Sequence, residues 1–115
     1  MLAMWAVGLL GAGAFVTDPV SGYPRGTPPT PNPPTWHGQL HDLAFSLPGF
    51  AAFAAAMFVL AYAYARRRTR WWATFSMVSG AAFVALFTLT TLGFAQHAHL
   101  VSAAGLLQRL TAGVG

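Results

Sequence analysis

The stretch LAFSLPGFAAFAAAMFVLAYAYARRRTRWWATFSMVSGAAFVALFTLTTLGFA, residues 43–95, decides the fold. Residues 43–65 are 23 positions without a charge, and residues 71–95 are 25 more with only Ser and Thr as polar interruptions. Between them lie Arg66, Arg67, Arg68, Thr69 and Arg70. As a helix, 23 residues extend about 34 Å at 1.5 Å per residue. Both runs exceed the roughly 20 residues that cross a hydrocarbon core. A five-residue connection makes them antiparallel neighbours. Lys and Arg concentrate in short cytoplasmic loops, so the 66–70 loop is expected inside. The same cluster can attract anionic headgroups. Tyr62 and Tyr64 before the loop, and Trp71 and Trp72 after it, are expected as anchors at headgroup level.

Composition agrees. Of 115 residues, 56% are apolar and 7% charged, against roughly 25% charged in a soluble globule. The charges are six Arg and two Asp, so a water-exposed surface would be short of ions. The net charge of +4 does not indicate nucleic acid, because four of the six Arg fall in one loop with nothing basic around it. With no Cys, disulfides, thiolate zinc sites and thiol catalysis are excluded.

Working outward, residues 1–17 are uncharged and apolar, with Gly8, Gly11 and Gly13 in the run. No positive region precedes Leu2, which argues against a signal peptide. Residues 1–17 are expected as a first transmembrane helix, Gly8 and Ala12 forming a small-residue seam. Residues 18–42 hold seven Pro, and residues 28–34 are expected to be extended, a stiff outer cover. A helix restarts near Thr35, whose hydroxyl can cap it. Pro48 then removes a backbone bond and is expected to kink the second span. The expected spans are therefore 1–17, 43–65 and 71–96, and the chain is an all-α membrane protein. In residues 97–115, Leu100, Val101, Ala104, Leu107 and Leu110 form a stripe, with Arg109 off it. This segment is expected to be an interfacial amphipathic helix or an incomplete fourth span. Ser76, Ser79, Thr88, Thr90 and Thr91 suit hydrogen bonds between helices.

The polar side chains gather on one side in this topology. Asp18 follows the first span, His37, His41 and Asp42 precede the second, and His97 and His99 follow the third. His37 and His41, four apart, share one helix face, and Asp42 lies about 100° round from His41. Two imidazoles, a carboxylate and a water make a catalytic zinc pattern. That reading takes His37, His41 and Asp18 as ligands and Asp42 as base, with His97 or His99 as substitutes. The alternative is a hydrogen-bonded outer cap without cofactor, in which Asp18 caps backbone and Asp42 pairs with a His or with Arg25.

The run GAGAFVTDP at 11–19, then Gly22-Tyr23-Pro24, then TWHGQLHD at 35–42, resembles a bacterial membrane family called domain of unknown function 998. LGFAQ at 92–96 and GLLQRL at 105–110 are similar as well. The resemblance implies a six-span bundle, of which this chain corresponds to the second half, without the first hairpin and with the last span cut at Gly115. Asp18, His37, His41 and Asp42 fall on the family's motif, whereas His97 and His99 do not. The resemblance implies no activity.

Two functions are expected from these residues. One is a structural, sensing or partner-binding component of the bacterial cytoplasmic (plasma) membrane that contacts the lipid bilayer and self-associates or meets other membrane helices. The other is a membrane-embedded metal-dependent hydrolase working at the outer face. Transport has little support, since no ionisable residue lies within the spans.

Overall fold

The computed structural model describes residues 1–19, 33–95 and 99–114, and among them every regular element is helical. The central part of the Pro-rich loop, residues 20–32, lies outside the described residues, as do residues 96–98. The order is α1 (Leu2–Ala14), α2 (Trp36–Gln39), a π-type helical segment (Leu40–Ser46), α3 (Leu47–Arg66), α4 (Arg70–Phe94), a 3₁₀ turn (Val101–Ala103) and α5 (Ala104–Val114). From α2 to α3 the chain runs as one helix, Trp36–Arg66, of 31 residues. It and α4 are long and apolar enough to cross a membrane. α1 is apolar but has 13 residues, about 20 Å.

The helix from Trp36 begins as the sequence suggests. Thr35 is extended, and its Oγ1 accepts the Gly38 N–H at 3.1 Å. Pro48 is accommodated differently from a simple kink. Proline has no N–H to donate and its ring presses on the carbonyl four residues back. The helix widens just upstream, over Leu40–Ser46, and the Leu47 N–H reaches the Asp42 carbonyl, five residues back. A π-type turn lets the chain carry Pro48 inside a continuous helix.

Two compact units divide the chain, Met1–Ala52 and Phe53–Gly115. In the first, α1 runs antiparallel to the π-type segment and the start of α3. A Cβ on Gly8 would lie 2.7 Å from the Gly49 Cα and 2.8 Å from the Phe45 carbonyl oxygen. Only glycine permits that backbone approach. Gly11 is buried beneath the Phe45 ring, which stacks on Phe15 at 5.4 Å. The expected seam thus exists, but its second member is Gly11; Ala12 is half-buried.

In the second unit, Phe53 of α3 meets Phe83 of α4 at 4.7 Å, and Gly80 lies against Met57 and Phe58. α5 folds back along α4. Its buried positions are Ala104 and Thr111, facing Gly93 and Thr90. Of the apolar stripe, Ala104 is buried, Leu100, Val101 and Leu107 are half-buried, and Leu110 is 47% exposed. Close approach of two helix backbones selects small and hydroxyl residues over Leu. The same rule explains the hydroxyls. Thr88, Thr90 and Thr91 each donate to the carbonyl four residues back, at 2.8–2.9 Å. Such local bonds satisfy a hydroxyl without a second helix. Thr90 alone of these three also meets another helix, at Thr111 Oγ1, 3.2 Å away.

Candidate functional site: the polar cap of the first unit

α1 ends at Phe15, which turns extended while its N–H still reaches the Gly11 carbonyl at 3.0 Å. That turn swings Asp18 toward the start of α2. The Asp18 carboxylate accepts the Thr35 N–H on Oδ2 at 3.0 Å and the Thr35 hydroxyl on Oδ1 at 2.5 Å. Asp18 is 9% exposed. A carboxylate so enclosed requires such charge-assisted bonds. Gly38 packs directly on it, where any Cβ would collide with the carboxylate. Thr35 therefore works in both directions, its hydroxyl donating to Asp18 and accepting from Gly38.

One turn further, His41 Nδ1 lies 2.9 Å from the Phe15 carbonyl oxygen, so the imidazole donates there. Phe15 has turned out of helical geometry, and its carbonyl is an acceptor that α1 does not use. His41 Nε2 is 4.0 Å from Asp42 Oδ1, and the Asp42 side chain is 63% exposed. His37 is exposed and stacks on Trp36 with centroids 3.5 Å apart. Trp36 in turn meets Phe15 edge-on at 6.3 Å.

The predicted residues thus occur in one neighbourhood with distinct surroundings. Asp18 is bound to Thr35, His41 to Phe15, Asp42 faces His41, and His37 rests on Trp36. Among the described residues no three His, Cys, Asp or Glu side chains gather as a metal-binding group. His99 is exposed, and His97 lies outside the described residues. Sequence reading missed the partners of Asp18 and His41. Thr35 was recognisable as a cap, but the Phe15 carbonyl carries no side-chain signal. At the arginine loop, Trp71 and Trp72 are 74% and 50% exposed and Tyr62 is 67% exposed, while Tyr64 packs against Trp72 at 6.2 Å.

Fold and cap together define a class: an all-helical protein with two helices long enough to cross a membrane and a hydrogen-bonded polar junction in its first unit. Within that class, the chain belongs to the family described as protein of unknown function (DUF998), whose family model matches residues 1–115. No curated protein and no solved structure matches it.

Proposed function

We propose that the chain is a multi-pass component of a bacterial cytoplasmic membrane, with a structural, sensing or partner-binding role and no catalytic one. In this reading residues 1–17 form a third span beside 43–65 and 71–96. The 66–70 loop is cytoplasmic, residues 18–42 are outside, and the chain self-associates or pairs with other membrane helices. The observation that carries the reading is the inversion of burial. The buried set is dominated by small residues: Gly8, Gly11, Gly49, Ala52, Ala56, Ala61, Ser76, Gly80, Gly93, Ala104 and Thr111. The exposed set includes Leu2, Leu10, Val16, Leu43, Phe75, Val78 and Leu106, between 51% and 76% exposed. Such a surface suits lipid and such seams suit helices in lipid.

For the polar cap, the supporting fact is that Asp18 and His41 already bind protein groups, Thr35 and the Phe15 carbonyl. A cap that ties α1 to α2 needs no cofactor. The competing hydrolase reading places zinc on Asp18, His37 and His41 with Asp42 as base. Metal analysis of the purified full chain beside His41→Ala separates the two. The cap reading expects no stoichiometric transition metal in either protein and a loss of about 1 kcal/mol in detergent for the variant, one hydrogen bond's worth. Near-stoichiometric zinc, lost in the variant while its melting curve holds, replaces the cap with the hydrolase. Topology has its own test, aided by the absence of Cys. An impermeant thiol reagent should label Pro34→Cys in intact cells and Arg68→Cys only after lysis.

A further inference from the structure

We propose that the arginine turn joining α3 to α4 is a binding site for anionic phospholipid headgroups, the lipid phosphate being held by the guanidinium groups of Arg66, Arg67, Arg68 and Arg70. This rests on the membrane-spanning reading above. All four side chains are exposed. An arginine at the end of a helix often bonds the last carbonyls, but here the backbone takes that role. The Arg67 N–H bonds the Ala63 carbonyl at 3.1 Å, the Arg68 N–H bonds Ala65 at 3.0 Å, and the Thr69 N–H bonds Tyr64 at 3.0 Å. The Thr69 hydroxyl adds a second bond to Tyr64, at 3.3 Å. The closing geometry requires Arg68 at φ 58°, in the left-handed region. The guanidinium groups are therefore not needed to finish the helix.

Nor are they neutralised. The ion-pair contact among the described residues is between His41 and Asp42, and both carboxylates of the chain precede the turn by a full helix length in sequence. α4 then opens on Arg70 with no acidic residue in its first turn and no side-chain cap from Thr69. Arg66, in the last turn of α3, complements the dipole of that helix, but Arg70 at the start of α4 opposes its own. An external anion corrects the imbalance.

The flanking rings say where that anion comes from. Tyr64 and Trp72 lie 6.2 Å apart and Trp72 meets Phe75 edge-on at 5.9 Å, with Trp71 and Tyr62 exposed beside them. Amphipathic rings settle at headgroup depth, and a basic cluster beside a span draws anionic lipid. Guanidinium groups bind phosphate oxygens in pairs.

The test equilibrates the full chain with equal phosphatidylglycerol and phosphatidylcholine in detergent and counts the lipids retained by native mass spectrometry. Wild type should prefer phosphatidylglycerol roughly tenfold, within what four basic residues near a surface supply. Replacing all four with Gln should abolish the preference, and Arg109→Gln should leave it intact. Should the quadruple variant fail to fold, wild type carries the test: the preference must vanish at about 1 M salt, where screening acts over ~3 Å. Equal retention of both lipids, a preference that survives the quadruple change, or one that persists in high salt overturns the proposal. Displacement by inorganic phosphate at lipid-like concentrations also overturns it, pointing to a soluble anion. Alkaline carbonate extraction keeps the two readings apart. A chain that stays in vesicles without lipid preference loses only this inference, whereas a chain that is extracted loses the membrane reading too.

Discussion

The two units each close a helix pair through small residues, yet by different means. In the first unit Gly8 and Gly49 meet backbone to backbone, with the Phe45 carbonyl also against Gly8. In the second, a Cβ on Gly93 would meet first the Ala104 methyl, at 2.9 Å, and then the Leu100 carbonyl oxygen, at 3.0 Å, and the Thr90 and Thr111 hydroxyls lie 3.2 Å apart. At the Gly8–Gly49 crossing no side chain is left to remove. The second seam has a methyl in reserve, and each of its hydroxyls lies 2.8 Å from a carbonyl of its own helix, so the one that donates its single proton across gives up its local bond. The lesson is that the first contact is all or nothing and the second is graded.

The largest expected effect tests that contrast at the glycines. Gly8→Ala should destabilise the protein by about 3 kcal/mol in denaturant titrations in mixed micelles, since backbone lies on both sides of the new methyl. Gly13→Ala, with nothing within 4 Å, should be neutral or slightly stabilising. Gly93→Ala should cost about 2 kcal/mol, and Ala104→Gly on the same chain should restore part of it. No second-site change to a smaller residue is available at Gly49. A Gly8→Ala protein as stable as wild type ends the comparison.

Next in size is the cap. Asp18→Ala removes both bonds to Thr35 and should cost about 2 kcal/mol by thermal melting. Asp18→Asn, which keeps the shape, should cost less. Equal losses in the two would mean that the charge carries the contact and the shape adds nothing; no loss in Asp18→Asn would mean that charge contributes nothing there.

A smaller effect of opposite sign is expected at the turn, away from both seams. Arg68 holds a left-handed φ of 58° in a position where glycine is usual. Arg68→Gly should stabilise the protein by about 1 kcal/mol. The smallest effect is at the hydroxyl pair. A double-mutant cycle of Thr90→Val and Thr111→Val should give a coupling near 0.6 kcal/mol, the mean for such bonds in a membrane protein. A coupling several times larger would make the second seam as strict as the first.

Much of this was legible in the sequence because it is local. The uncharged runs mark the two long helices, Thr35 announces a helix start, and the arginine turn announces itself by charge. The family was also legible, through the Asp-Pro and His-Gly-x-Leu-His-Asp patterns. Partnerships across the chain were not. Thr35 is 17 residues from Asp18, and Phe15 offers His41 a carbonyl 26 residues away. A backbone acceptor has no residue type to betray it. In α5, hydropathy marked Ala104, which is buried, but it gives no sign of Thr111, a hydroxyl residue buried as well. Pro48 pointed to a kink, and hydropathy gave no sign of the π-type widening just upstream of it.

The widened segment before Pro48 has a consequence for phase. His41, Phe45 and Gly49 all face α1, opposite Phe15, Gly11 and Gly8 in turn, one rung every four residues on the long helix and every four and then three on α1. An ordinary helix overshoots a full circle by about 40° over four residues, so two such steps would carry the last rung some 80° off line. A π-type turn advances less per residue and takes up that drift. The segment Leu40–Ser46 thus acts as a vernier, keeping a strict repeat of four aligned along a straight partner. Deleting a single residue within it would rotate everything upstream by somewhat less than the roughly 100° of an ordinary helical step relative to Gly49. His41 would then lose Phe15 while the glycine crossing stayed in place, so the polar cap should tolerate substitutions far better than it tolerates a change in length.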